Sequence, residues 1–165
     1  MAGALTTLNA LLPENTVNVA TQEFVTMRLG EQLFGISVLA VQDVMKHQQI
    51  APIPLANAVI AGSLNVRGRI VTAYDMRRRL GMGAYPEPQS IMMVVVDFQH
   101  ELFALMIDAV GEVLSLPMNR FEKVPANLDP AWRALAAGVF KLEKELLVIL
   151  DVANVINLGG KEAAA

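Results

Sequence analysis

Short apolar runs separated by turn-forming residues recur along the chain, and they predict a protein built mainly of β-strands. Residues 23–29 carry apolar side chains at four positions, and Gly30-Glu31 then predicts a turn before a second strand over 33–36. Two strands joined in this way are typical of a β-hairpin. Residues 38–45 mix two periodicities, so we predict a short helical turn there that leads into a strand.

The strand pattern breaks at Pro52 and Pro54, because each proline fixes its own φ angle and lacks a donor N–H. Residues 56–60 are compatible with a helical turn. Apolar runs over 64–66 and 69–74 then predict two strands that are joined by a tight turn.

A short helix is predicted over 76–80, with Asp75 able to cap its first turn. Residues 81–88, Gly-Met-Gly-Ala-Tyr-Pro-Glu-Pro, form the clearest interruption and predict a linker. Further apolar runs over 91–97 and 102–107 predict another pair of strands after it.

The pattern before the linker repeats after it. The motif that begins at Leu33 recurs 69 residues later at Leu102, and the segment 62–75 recurs 76 residues later as 138–151. The second copy therefore holds seven extra residues, which we place between 117 and 135. Repetition of this kind predicts two similar β units of about five short strands each, closed or nearly closed into small barrels.

The same pattern sets the predicted boundaries of the domain. We expect a flexible leader over 1–22, a β-rich domain over 23–158 and a flexible tail over 159–165. The linker divides the domain into a first β unit, about 23–80, and a second, about 89–158.

Composition excludes several classes of protein. The chain has 165 residues, of which 54% are apolar and 18% charged, with a net charge of −3 and no cysteine. The absence of cysteine excludes a disulfide scaffold, a zinc-thiolate site and a cysteine nucleophile. The apolar content excludes a wholly disordered chain, which needs low hydrophobicity and high net charge.

Membrane insertion and export are not expected. The longest uncharged run, 47–66, is interrupted by two prolines and a glycine, so it lacks the apolar length of a membrane span. No Lys or Arg precedes Arg28, so the positive flank of a secretory signal is missing. We expect a cytoplasmic protein.

Candidate catalytic chemistry is sparse. His47 and His100 lie beside predicted turns, which favours exposed turn residues over the multi-ligand set that a metal site requires. No phosphate-binding loop, dinucleotide fingerprint or nucleophile elbow is present. Asp43 and Glu112 occupy equivalent positions in the two repeats, whereas a glycosidase pair shares one cleft. We therefore expect no catalytic residue, no metal and no cofactor.

A cluster of arginines is the strongest charge feature. Five of the thirteen basic residues lie within a short stretch: Arg67, Arg69, Arg77, Arg78 and Arg79. Such a cluster suits an anionic partner, either protein or nucleic acid, and it is also compatible with a solvated strand end and helix face.

The turn of residues 65–68, Asn-Val-Arg-Gly, is the best candidate for a contact. Gly68 gives its backbone freedom, and Asn65 can hydrogen-bond that backbone. Arg67 then either contacts a partner through its five donors or binds carbonyls of its own loop. The chemistry alone leaves both interpretations open.

Residues 65–71 (Asn-Val-Arg-Gly-Arg-Ile-Val) with 75–77 (Asp-Met-Arg) resemble a known signature. It is the N-L-R-G-x-I-x-P-x-x-D-L-R motif of the CheW family of bacterial chemotaxis coupling proteins. The chain departs from it mildly, with Val66 and Met76 in place of Leu and Thr72 in place of Pro.

The likeness extends over about 23–158. Phe-Gly-Ile at 34–36 with Val-Gln-Asp-Val at 41–44 resembles the early F/Y-G-I…V-Q-E-I stretch of the family. Residues 107–114 resemble its V-D-x-V-x-E/D-V-L strand, and Gly138 with 146–151 resembles the closing G…L-L-V-I-L-D segment. The combination is specific, whereas each piece alone is weak.

The resemblance implies a mainly β fold of two intertwined five-stranded SH3-like barrels with short helices, and an adaptor without catalysis. It implies that the protein links the cytoplasmic hairpin tips of methyl-accepting chemoreceptors to the regulatory domain of the histidine kinase CheA, with receptor helices in the groove between the barrels. The receptor-binding positions carried over are Asn65, Arg67 and Gly68. The kinase-binding positions carried over are Val41, Asp43 and Gly62.

Two other functions are weighed beside this one. A CheW-like scaffold could serve a different receptor–kinase pathway, which the sequence does not separate from chemotaxis. A small β-barrel that binds single-stranded nucleic acid would use the arginine cluster, but such barrels need aromatic stacking platforms and only Tyr74 lies within it. We therefore expect no nucleic-acid partner. The resemblance implies recruitment to membrane-associated receptor arrays.

Overall fold

A computed structural model describes residues 19–157, which contain ten strands and three short helices. The strands are β1 (Thr21–Leu29), β2 (Gln32–Ser37), β3 (Val41–Lys46), β4 (Ile60–Val66), β5 (Arg69–Asp75), β6 (Met92–Phe98), β7 (Glu101–Ile107), β8 (Ala109–Pro117), β9 (Ala136–Lys141) and β10 (Leu146–Leu150). The helices are α1 (Met76–Arg79), α2 (Pro130–Leu135) and α3 (Val152–Ile156).

The strands form two five-stranded sheets. Sheet A has the order β8-β1-β2-β10-β9, and sheet B has the order β3-β6-β7-β5-β4. Replacing β1–β5 by β6–β10, and the reverse, converts one order into the other, so the sequence repeat is also a repeat of topology. The predicted mainly β fold with two five-stranded units is confirmed, and the sheets are consistent with SH3-like barrels.

Each sheet takes strands from both halves of the chain. The chain leaves sheet A after β2 and enters sheet B at β3, and it returns from β7 to β8. The linker therefore separates two sequence repeats and does not separate two sheets. A hydrophobic pattern shows where strands are, but strand order depends on long-range pairing that the pattern does not encode.

Each sheet curls so that its two edges approach each other. In sheet B an isolated bridge joins Ala51 to Ser63, and in sheet A the equivalent bridge joins Glu122 to Val139. A glycine precedes Ser63 in one bridge and Val139 in the other. At both positions the neighbouring segment lies too close to leave room for a Cβ atom. A Cβ at Gly62 would lie 2.2 Å from the Ala51 carbonyl oxygen, and one at Gly138 would lie 2.3 Å from Phe121 Cζ.

Three apolar clusters stabilise this arrangement. One lies between the sheets and includes Met27 and Phe34 of sheet A with Val94 and Leu105 of sheet B. Each sheet also encloses a smaller cluster of its own. The one in sheet B lies around Val71, and the one in sheet A occupies the equivalent position. β6 is buried on both faces, which explains its continuous apolar run.

Helix α1 begins where it was predicted, with the Asp75 carboxylate accepting from the Arg78 N–H. Its equivalent in the second repeat is α3, which Asp151 caps in the same way. The helical turn predicted over 56–60 is present as a single hydrogen-bonded turn over 57–60. The Ile60 N–H donates to the Asn57 carbonyl at 2.9 Å, the Asn57 side chain accepts from the Val59 N–H, and β4 begins at Ile60.

The ends of the domain lie partly outside the described residues. Residues 1–18 and 158–165 hold most of the predicted leader and all of the predicted tail. The last two residues of the predicted leader, Thr21 and Gln22, belong to β1 and pair with Pro117 and Leu116. Both side chains are polar and exposed, so the apolar pattern does not include them. No helix within 19–157 is long and apolar enough to cross a membrane.

Candidate functional site

The turn between β4 and β5 is tight and is held by its own side chain. Val66 pairs with Arg69, so Arg67 and Gly68 form a two-residue turn with φ angles of 52° and 84°. The Asn65 side-chain oxygen accepts from the Gly68 N–H at 2.9 Å. The turn leaves 81% of the Arg67 side chain exposed.

Arg67 forms an ion pair with the opposite edge of sheet B. Its Nη2 lies 3.1 Å from Oδ2 of Asp43 on β3. The other Asp43 oxygen accepts from the Val44 N–H at 2.8 Å, which fixes the carboxylate. Arg67 therefore pairs with a carboxylate of another strand, and it remains accessible.

The structure brings most of the predicted positions to one region of sheet B. Asn65, Arg67 and Gly68 are exposed, and Asp43 is partly exposed beside them. Val41 is half-buried and packs against the cluster between the sheets. The two predicted sets are therefore adjacent and share the Arg67–Asp43 pair.

Gly62 differs from the other predicted site residues in its burial. It is buried in β4 against the Ala51 backbone, so it offers no surface to a partner. Its effect on any contact is indirect, because it allows the edges of sheet B to approach. The sequence resemblance carries a position over without showing whether that position is accessible.

Two apolar side chains are exposed close to the Arg67–Asp43 pair. Ile70 pairs with Asn65 and is 73% exposed, and Val44 follows Asp43 and is 37% exposed. An open cavity of about 530 Å³ lies alongside, lined in part by Pro52, Leu64 and Ile70. Sequence reasoning missed Ile70, although its alternation with the buried Val71 placed it on the outer face.

Three arginines of the predicted basic cluster bind within the protein. Arg78 contacts Asp75, and its Nη1 donates to the Ala58 carbonyl at 3.3 Å. Arg79 donates to the carbonyls of Asn154, Val155 and Asn157 at the end of α3. Arg77 is buried and forms an ion pair with the partly buried Asp108. Of these three side chains only Arg78 is exposed, so they do not form a continuous basic patch.

The Arg77–Asp108 pair is bidentate. Arg77 Nε lies 2.8 Å from Asp108 Oδ1, and Nη2 lies 2.5 Å from Oδ2. The Arg77 guanidinium holds the pKa of Asp108 below its ordinary value of 3.8, with a smaller contribution from the Gly30 N–H and against the effect of burial. The same bonds raise the pKa of Arg77, so both groups are charged at neutral pH.

No metal-ligand cluster of three or more His, Asp or Glu side chains occurs within residues 19–157. His47 and His100 are exposed at separate places. Asp43 lies in sheet B and Glu112 in sheet A, as their equivalent positions in the repeats require. The arrangement around Arg67 is suited to binding a protein surface, because it combines one accessible cation with apolar neighbours.

Comparison with known proteins identifies the family. The model of the CheW-like domain matches residues 23–159. The chain belongs to the CheW family. This is a family of chemotaxis coupling and scaffolding proteins, as its relatives show.

The chemotaxis protein CheW of Rhizobium meliloti (strain 1021) is 26% identical over 143 residues, covering 87% of this chain and 92% of that protein. The protein PilI of Pseudomonas aeruginosa is 26% identical over 141 residues, covering 86% of this chain and 79% of PilI. The crystal structure of the scaffolding protein TtCheW from Thermoanaerobacter tengcongensis superposes with a TM-score of 0.77 at 27% identity. That match covers 87% of this chain and 97% of TtCheW.

Proposed function

We propose that this CheW-family protein is a non-catalytic adaptor that couples chemoreceptor cytoplasmic tips to the histidine kinase CheA in membrane-associated signalling arrays. The exposed Arg67 turn is the single observation that carries the proposal. It presents a cation at a turn that the Asn65 side chain fixes, next to the exposed apolar side chain of Ile70.

The receptor contact is assigned to Asn65, Arg67 and Gly68, and the kinase contact to Val41 and Asp43. Gly62 supports the kinase contact from inside the sheet. Because Arg67 and Asp43 are paired, a partner that binds one of them changes the electrostatic surroundings of the other. The ion pair gives the two contacts a direct physical connection.

The strength of each contact comes mainly from apolar surface. Ile70 and Val44 supply that surface, while rim charges such as Arg67 govern partner choice and rates. Small contacts of this kind bind weakly when isolated. Repetition of the contacts in an array raises the effective concentration, so weak contacts suffice.

The test compares Arg67→Glu with Arg69→Glu. Both changes reverse one exposed charge beside the same turn, but Arg69 lies outside the proposed contact. Each variant is mixed with a receptor cytoplasmic fragment in a pull-down, and its folding is checked by circular dichroism. We expect at least a tenfold loss of receptor binding for R67E alone, with both variants folded. Equal retention of all three proteins would contradict the receptor assignment.

A scaffold of another receptor–kinase pathway is the second candidate, and the similarity to PilI favours it, since that relative does not carry the chemotaxis name. Co-purification from cells separates the two by the kinase and receptor that accompany the protein.

The nucleic-acid alternative loses its main support, because Arg77, Arg78 and Arg79 are engaged within the fold.

A further inference from the structure

The chain passes between the two sheets at two equivalent places that differ in chemistry. It crosses from sheet A to sheet B after β2, and from sheet B to sheet A after β7. Asp108 lies at the second crossing, and the residue 69 positions earlier, at the first crossing, is Leu39. Leu39 is 88% exposed, whereas the Asp108 side chain is 18% exposed.

Asp108 connects parts of both sheets. Its carboxylate binds Arg77 on α1, which continues β5 of sheet B, and Oδ2 also accepts from the Gly30 N–H at 2.7 Å. Gly30 lies in the β1–β2 turn of sheet A. The Asp108 backbone N–H donates to the Arg28 carbonyl of β1 at 3.1 Å. Among the ion pairs of residues 19–157, this one connects the two sheets.

Arg77 also holds the linker between the repeats. Its Nη1 donates to the carbonyls of Gly83 and Ala84 at 3.2 and 3.3 Å. Its guanidinium lies 5.5 Å from the centre of the Tyr85 ring, and the Tyr85 hydroxyl donates to the Met106 carbonyl at 2.8 Å. One guanidinium thus joins α1, the linker and the second crossing.

The first crossing has no such pair. The equivalent of Arg77 in α3 is Ala153, and the equivalent of Asp108 is Leu39, so neither partner of an ion pair is present. The apolar cluster between the sheets packs without strong directionality, whereas a bidentate guanidinium–carboxylate pair has a fixed geometry. Other directional bonds join the two halves through their helices, from Arg79 to the carbonyls of α3 and from the Tyr74 hydroxyl to the Ile156 carbonyl. Of the two crossings, the second alone carries an ion pair.

We propose that the Arg77–Asp108 pair fixes the angle between sheet A and sheet B, so that Arg77 and Asp108 are positioning residues for the groove between them. The geometric part stands on the contacts above. Its consequence for receptor binding rests on the proposed function and on the family resemblance, which implies receptor helices in that groove.

The test measures the distance between the sheets directly. The chain has no cysteine, so spin labels can be attached at Lys46→Cys in β3 and Ala137→Cys in β9, both of which are exposed. Pulsed electron resonance then gives the distribution of label-to-label distances. We expect a narrow distribution in the parent and a broadened or shifted one in Asp108→Asn and in Arg77→Lys, each verified as folded.

Two controls separate positioning from general destabilisation. Glu145→Gln removes an ion pair to Arg28 that lies entirely within sheet A. Val71→Ala removes packing from a cluster confined to sheet B. Both controls should keep the parent distribution. An unchanged distribution in folded D108N and R77K would overturn the proposal, and so would loss of the folded state in both, because the pair would then be needed for folding itself.

Binding of a receptor cytoplasmic fragment is measured on the same variants. A loss of about tenfold in D108N, with V71A unaffected, would support the functional consequence. A changed distance distribution with unchanged receptor binding would support the geometric proposal and contradict the assignment of the groove to the receptor.

Discussion

Arg67 and Asp43 meet from opposite edges of sheet B, with Arg67 Nη2 3.1 Å from Asp43 Oδ2. The arginine side chain is 81% exposed and the aspartate side chain 25% exposed. An ion pair this accessible contributes little to folding, because solvent screens it. Its position beside exposed apolar surface points to a role in binding.

We therefore predict that stability and binding respond differently at this pair. Arg67→Ala and Asp43→Ala should each change the free energy of unfolding by less than about 1 kcal/mol. Urea denaturation checks this value, and calorimetric titration with receptor and kinase fragments checks binding. A destabilisation of several kcal/mol in either variant would show that the pair is structural.

Glycines 62 and 68 should differ in their tolerance of a side chain. Gly62→Ala places a Cβ 2.2 Å from the Ala51 carbonyl oxygen, whereas a Cβ at Gly68 has no heavy atom within 4 Å. Both have positive φ angles, so both alanines are strained. We expect G62A to lose about 3 kcal/mol or more, and G68A about 1 kcal/mol, in thermal or urea unfolding. Equal losses would contradict the close packing at Gly62.

The β6–β7 turn can be made more stable. Gln99 and His100 have φ angles of 53° and 68°, and an Asn-Gly pair suits this turn best. The Asp97 carboxylate accepts from the His100 backbone N–H, a bond that the substitution retains. The double variant Gln99→Asn/His100→Gly should raise the unfolding free energy by about 1 kcal/mol. A lower melting temperature would contradict the assigned backbone conformation.

The Arg77–Asp108 pair predicts an acid-dependent loss of stability. The pKa of Asp108 is lowered in the folded state, so the unfolded chain binds the proton more readily. The contribution of the pair is therefore fully present above about pH 4, the pKa of an unfolded aspartate, and is lost as the pH falls through the lowered folded pKa.

Asp108→Asn should cost about 2 to 3 kcal/mol at pH 7, because it leaves the buried Arg77 without its anion. The difference from the parent should shrink below about pH 4. Urea unfolding of both proteins across this range measures it. A difference that stays constant down to pH 2 would show that the charge of Asp108 does not stabilise the fold.

Local features of the fold follow from the sequence. Asp75 and α1, the β4–β5 hairpin and the topological repeat were all predictable, because each depends on a few neighbouring residues or on direct comparison of two segments. The pairing of β3 with β6 was not predictable from the pattern, since pairing across a long loop leaves no periodic signal.

The same limit applies to the candidate site. The sequence indicated Arg67, Asn65 and Gly68 through turn chemistry, but it did not show that Asp43 lies beside Arg67. All arginines of the predicted basic cluster look alike in the sequence. Only tertiary contacts distinguish the buried Arg77 from the accessible Arg67.

The exchange of strands between the two repeats has a consequence for how such a molecule can be divided. A polypeptide cut near Ala84 would yield two pieces, and neither piece would contain all five strands of either sheet. Each piece needs the other to cover its unpaired edges, so the halves behave as obligate partners rather than as independent modules. The two repeats are therefore arranged like the subunits of a strand-exchanged dimer, joined by a short linker.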